Sequence, residues 1–203
     1  MALIIYGSPR SRTMRTLWAA EELGLEYELR PIGWDDPKLK EAQFLAINPA
    51  GTIPAIVDDG FALSESLAIN LYLARKYGGA GEAALYPVDP EGQARTWRWS
   101  LWAQGSLEPW VQRDVLWRQA LAPIREAAAP LLDRALAVLD GELCRSVWLI
   151  ADRFTVADLN VAAVLSPSRA SELELSPYPA VQDWLARCYD RPAARAVRAR
   201  YAA

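Results

Sequence analysis

The sequence predicts an α/β domain followed by an all-helical domain. Three observations carry that expectation. Up to residue 78, apolar residues recur both in short strand-like runs and at helical spacing. Beyond Glu91 the helical spacing dominates, and Val147-Trp148-Leu149-Ile150 is the one ambiguous stretch. Between them, residues 79–90 are rich in Gly, Ala and Pro and read as a linker. The expected division is 1–78, a linker over 79–90, and 91–203.

The elements follow in order. Residues 3–6 are an apolar run of strand length, and Gly7 to Arg12 is a loop by composition. From Thr13, Met14, Leu17, Trp18 and Leu23 keep a helical period, and Gly24 is placed to end that helix. Leu25, Tyr27 and Leu29 alternate over residues 25–32, so a second strand follows, parallel to the first. A polar helical stretch runs from Pro37 to Phe44 and Leu45. Asn48 to Pro54 is too rich in Pro and Gly for a regular element. Asp58-Asp59-Gly60 between two apolar runs is a hairpin signal. A helix starts near Ser64-Glu65-Ser66, with Leu67, Asn70, Leu71 and Ala74 on one stripe, and stops at Gly78-Gly79. The order β-α-β-α-β-β-α implies an open sheet with helices on both faces. The second half predicts helices over 91–118, 123–143, 155–166, 179–188 and 192–200. Thr155 to Asp158 forms a capping box, with Phe154 and Leu159 at the positions of a hydrophobic staple.

Composition narrows the function. The 203 residues suffice for a sizeable core. Lys+Arg 22 against Asp+Glu 25 gives a net charge of −3, which argues against a protein living on nucleic acid and leaves room only for a local basic patch. No apolar run approaches the roughly 20 residues of a membrane helix. No basic segment and apolar stretch of signal-peptide type opens the chain, so a cytoplasmic protein is expected. Cys144 and Cys188 have neither C-x-x-C nor metal-ligand spacing and are expected to be reduced thiols. There is no histidine, which excludes Ser-His-Asp and Cys-His nucleophiles and His-ligated metals. An enzyme of this composition draws its nucleophile from a substrate or cofactor.

Four local patterns, in order, resemble the glutathione transferase family over almost the whole chain. They are Ser11 to Gly24, similar to the first helix of bacterial and fungal members; Asn48 to Pro54, similar to the loop before a cis-proline; Leu63 to Ile69, similar to the glutathione-binding strand-to-helix turn; and Phe154 to Asp158, similar to the capping box of the helical domain. The resemblance implies a thioredoxin-like N-terminal domain and an all-helical C-terminal domain. It also implies glutathione as co-substrate without a metal, a homodimer, and no nucleic-acid or membrane partner.

Its site residues carry over position by position. Glu65 and Ser66 suit the ammonium and carboxylate of the γ-glutamyl end, Ser66 sitting where a helix N-terminus presents free N–H groups. Thr52, Ile53 and Pro54 match the segment that pairs with the cysteinyl backbone. Ser11, assisted by Arg12 and the helix N-terminus, is the candidate to stabilise the thiolate. Ser8, Arg10, Arg12 and Thr13 remain alternatives in the same loop, while Tyr6 reads as core. Lowering a thiol pKa of about 8.5 by two takes about 2.7 kcal/mol, and a hydrogen bond to a charged group supplies about 1.5–3 kcal/mol. Both cysteines lie in the helical half, which disfavours the cysteine-type subfamilies. Trp99 and Trp102, three apart on one helix, are expected to line an apolar electrophile pocket, with Trp97 pointing elsewhere. Transfer to an apolar electrophile is the leading activity. The alternatives are glutathione-dependent disulfide or peroxide reduction, and a non-catalytic binding module.

Overall fold

The computed structural model describes residues 2–79, 84–116, 122–150 and 152–201. The expected helix end at 118 and linker residues 80–83 lie outside these. The chain forms two compact units, Met1–Leu85 with Pro192–Ala203, and Tyr86–Arg191.

In the first unit, β1 (Leu3–Tyr6) pairs in parallel with β2 (Glu28–Arg30) and antiparallel with β3 (Ala55–Asp58). β3 continues through a hairpin into β4 (Phe61–Ser64), and the sheet order is β2-β1-β3-β4. The hairpin turns on Asp59 (φ 48°) and Gly60 (φ 88°), both left-handed, the two-residue turn whose twist suits flanking strands. The second strand is shorter than the alternation over 25–32 suggests. It sits at the sheet edge, where Glu28 and Arg30 are exposed.

Side-chain alternation on β1 dresses both faces of this sheet. Ile4 and Tyr6 join a cluster with Leu39, Phe44, Ala55 and Val57, where Leu39 comes from a 3-10 turn (Pro37–Lys40) and Phe44 from α2 (Ala42–Leu45). Leu3 and Ile5 are buried on the alternate face. Helices α1 (Thr13–Glu22) and α3 (Ser66–Tyr77) pack against each other. On α3 the buried residues are Ser66, Leu67, Ile69, Asn70, Leu73 and Ala74, a broader stripe than the sequence period suggests, with Leu71 only half-buried.

The second unit is helical: α4 (Pro90–Trp102), a π-helical segment (Ala103–Leu107), α5 (Glu108–Leu116), α6 (Ala122–Leu143), α7 (Val156–Leu165), α8 (Pro167–Ala170) and α9 (Pro179–Asp190). The chain around Val147 to Ile150 bends without forming a strand. Asp89 starts α4 by accepting the Gly92 N–H at 2.6 Å, with Pro90 in the first turn. Every residue of α7 is buried, as befits a helix that is apolar on all sides. Asp158 in its first turn is a buried acceptor with four donors. These are Thr155 N (2.9 Å), Thr155 Oγ1 (3.0 Å), Leu149 N (3.0 Å) and Trp184 Nε1 (3.0 Å). The capping box thereby ties the start of α7 to α9 as well as to itself.

Helix α10 (Pro192–Arg200) follows the helical unit in sequence, and the sequence reading groups it with residues 91–203. It packs against α1 of the first unit. There Arg200 pairs with Glu21, and the Tyr201 hydroxyl lies 3.1 Å from that of Tyr27.

Candidate glutathione site

Three of the expected segments emerge together because the strand register brings them there. Tyr6 stands opposite Ala55, and Ala55 opposite Ser64. The loop after β1, the Ile53-Pro54 segment before β3 and the Glu65-Ser66 turn after β4 therefore all leave from one end of the sheet.

The first of these loops is held by a close approach. Gly7 has φ 143°, and a Cβ there would lie 2.0 Å from Thr13 Oγ1, so only glycine fits. Thr13 is wholly buried, Ser11 half-buried, and Arg10 and Arg12 are exposed. The Ser11 hydroxyl lies 2.7 Å from the Ser8 carbonyl and 2.9 Å from Thr13 Oγ1. It also accepts the Thr13 N–H at 3.1 Å. That bond satisfies one of the open donors of the α1 N-terminus, which Arg12 leaves without a side-chain cap. The Ser11 oxygen is thus fixed at the start of a helix, with one proton to direct.

In the second segment, Asn48 organises the turn. It is 2% exposed, donates to the Thr52 carbonyl at 2.8 Å and accepts the Ala50 N–H at 3.2 Å. The Ile53-Pro54 bond is cis. Pro54 is buried, Ile53 packs against the Tyr6–Phe44 cluster, and Thr52 is exposed.

The third segment combines strain and charge. Glu65 adopts φ 71°, ψ 106° as the residue before α3, a backbone region that costs a non-glycine residue about 1–3 kcal/mol. Such strain persists where the surroundings impose it, commonly at ligand clamps. Ser66 is buried at the first position of α3. Its hydroxyl receives Arg15 Nη1 at 3.4 Å, the long end of hydrogen-bond reach. Arg15 is 3% exposed. The sequence reading passed over Arg15. The signal available was a cation at the helical position facing inward, next to Thr16 and one turn beyond Ser11.

The tryptophan expectation needs correction. Trp99 is 1% exposed and belongs to the core of the helical unit, with Arg98 over its ring at 4.4 Å. Trp102 packs edge-on against it at 5.1 Å between ring centroids and is half-buried. Helical spacing places both on one face but does not say how deep that face lies. Of the two, Trp102 keeps part of its surface exposed. Trp97 points away and is 53% exposed.

An α/β unit of this topology followed in sequence by a helical unit, with a cis-proline and a strained helix start at one end of the sheet, is the architecture of a glutathione-dependent transferase. Residues 9–76 match the family model of the glutathione S-transferase N-terminal domain, and residues 99–192 that of the glutathione S-transferase C-terminal domain. Glutathione S-transferase 3 of Zea mays is 32% identical over 94% of this chain and 90% of its own. Glutathione S-transferase GstB of Escherichia coli is 31% identical over 96% and 97%. A solved glutathione S-transferase of Pseudomonas fluorescens superposes with a TM-score of 0.80 at 27% identity, covering 94% of this chain and 96% of that one. The chain belongs to the glutathione S-transferase family, as a transferase with glutathione as its co-substrate.

Proposed function

We propose that the sheet end described above holds glutathione and that Ser11 stabilises its thiolate for attack on an apolar electrophile. The γ-glutamyl carboxylate meets Ser66 and the N-terminus of α3, where the partial positive charge of the helix and the Arg15 guanidinium both favour an anion. Glu65 takes the ammonium. Thr52, Ile53 and Pro54 hold the cysteinyl backbone. The sulfur, having lost its proton, accepts the Ser11 hydroxyl proton as a hydrogen bond. Its electron pair then forms a C–S bond to the electrophilic carbon as the leaving group departs. Arg12 and the α1 N-terminus add positive potential.

The observation that carries this reading is the register Tyr6–Ala55–Ser64, which brings the three segments proposed to meet glutathione to one end of the sheet. Transfer is favoured over disulfide reduction because the nucleophile position carries Ser11, while Cys144 and Cys188 both lie in the helical unit. Trp102, half-buried on α4, is the tryptophan of the pair with surface left for an apolar ligand.

The same reading includes a cytoplasmic homodimer. Trp97 and Leu101, one turn apart on α4, are 53% and 73% exposed, and Phe61 on β4 is 50% exposed. No described helix is long and apolar enough to cross a membrane. Turnover of an aromatic halide and of a glutathione mixed disulfide separates the activities. Conjugation of the halide with no disulfide reduction is expected, and the reverse pattern would overturn the assignment.

A further inference from the structure

We infer that Thr13 is a positioning residue, donating its hydroxyl proton to Ser11 so that the proton of Ser11 is directed at the sulfur of glutathione. The inference rests on the proposed role of Ser11.

A serine hydroxyl has one proton and two acceptor sites. Ser11 Oγ uses one acceptor site for the Thr13 N–H at 3.1 Å. Thr13 Oγ1 lies 2.9 Å away, and either oxygen is able to donate across that gap. If Ser11 donates to Thr13, its only proton is turned into the protein and the sulfur receives none. If Thr13 donates, both acceptor sites of Ser11 are filled, and its proton must point outward from the pair.

The 2.7 Å contact to the Ser8 carbonyl is where that proton rests in the absence of glutathione. A thiolate is a stronger acceptor than a neutral carbonyl because it is charged. Binding therefore exchanges the Ser8 carbonyl for sulfur while the Thr13 bond is retained. The chain of hydroxyls also polarises: a hydroxyl that accepts a hydrogen bond donates a stronger one.

Thr13 is built for a fixed direction. It is wholly buried, and its side chain is pressed against the backbone of Gly7, where an added Cβ would meet Oγ1 at 2.0 Å, Cβ at 3.0 Å and Cγ2 at 3.1 Å. The close fit on Gly7 restricts χ1 of a β-branched residue that is already stiff. Gly7 and Thr13 thus form one device, in which the missing side chain of the first sets the rotamer of the second.

The test is the ultraviolet absorbance of bound thiolate, titrated against pH in a double-mutant cycle. Thr13→Val keeps the shape and removes the hydroxyl, and should raise the thiol pKa by about 0.5, with the rate at neutral pH falling about threefold. Thr13→Ser keeps the hydroxyl and should titrate as wild type. In an Ser11→Ala background Thr13→Val should add nothing. If Thr13→Val fails to fold, Thr13→Ala carries the same comparison. A wild-type titration in Thr13→Val, or an undiminished rise in the Ser11→Ala background, overturns the inference. If Ser11→Ala itself leaves the pKa unchanged, the underlying role of Ser11 fails, and a shift in Thr13→Val alone then means that Thr13 meets the sulfur directly.

Discussion

Arg15 and Ser66, 51 residues apart in sequence, meet at the junction of α1 and α3, with Nη1 of the arginine 3.4 Å from the serine hydroxyl. Both are almost fully buried. A buried guanidinium beside a helix N-terminus adds to its attraction for a carboxylate at the same point. Arg15→Met should lower glutathione affinity about tenfold, or about 1.4 kcal/mol, while Arg15→Lys, which keeps the charge without the planar fork, should lose less. Calorimetric titration gives the affinities and a thermal melt checks the fold. Equal affinity in wild type and Arg15→Met would reduce Arg15 to a brace between the two helices.

Glu65 holds a backbone conformation that favours glycine, and among the described residues it caps α3 without a side-chain hydrogen bond. Glu65→Gly should therefore stabilise the protein by about 1 kcal/mol, raising the melting temperature by about 2–4 °C. The same change should weaken glutathione binding about tenfold, through loss of the carboxylate proposed to meet the ammonium. Opposite movements of stability and affinity are the signature of strain kept for binding. A lower melting temperature would show that the carboxylate supports the fold.

Asp58 ends β3 with its side chain out of contact with water. Burial pushes its carboxyl up, but hydrogen bonds from Lys76 (2.8 Å), Tyr72 (2.7 Å) and Tyr77 (2.8 Å) outweigh burial and hold it below the ordinary carboxylate value. A carboxyl depressed in the folded state contributes stability that is full above the unfolded value, near pH 4. That contribution is lost as pH falls through the lower folded value. Lys76 is partly exposed, so solvent screens its share of the cluster. Denaturant unfolding at pH 7, 4 and 3 should show wild type losing more stability than Asp58→Asn between pH 4 and 3. Parallel losses in both proteins would exclude Asp58 as the titrating group.

The features that the sequence made legible are local ones. The β1 run, the start of α1 at Thr13, the hairpin at Asp59-Gly60 and the capping box at Thr155 to Asp158 are each written within a few residues, because turns and caps demand particular backbone conformations. Glu65 and Ser66 were legible as a pair, since a helix start is a sequence signal. Contacts between distant residues were not legible. Nothing near Arg15 indicates Ser66, and nothing near Arg200 indicates Glu21. Depth was hidden for the same reason: Trp99 and Trp102 share a helical face, but how far each is covered depends on helices that follow later in the chain.

The proposed mechanism depends on the thiol pKa of bound glutathione being lowered, and on Ser11 as the group that lowers it. The direct measurement is the thiolate absorbance of the glutathione complex, titrated against pH in wild type and Ser11→Ala. In wild type the midpoint should lie about two below the free-thiol value of about 8.5. In Ser11→Ala it should rise by about one or more, with glutathione affinity little changed, because a hydrogen bond to a charged group supplies about 1.5–3 kcal/mol. A wild-type midpoint equal to that of free glutathione, or identical curves for the two proteins, would contradict the account.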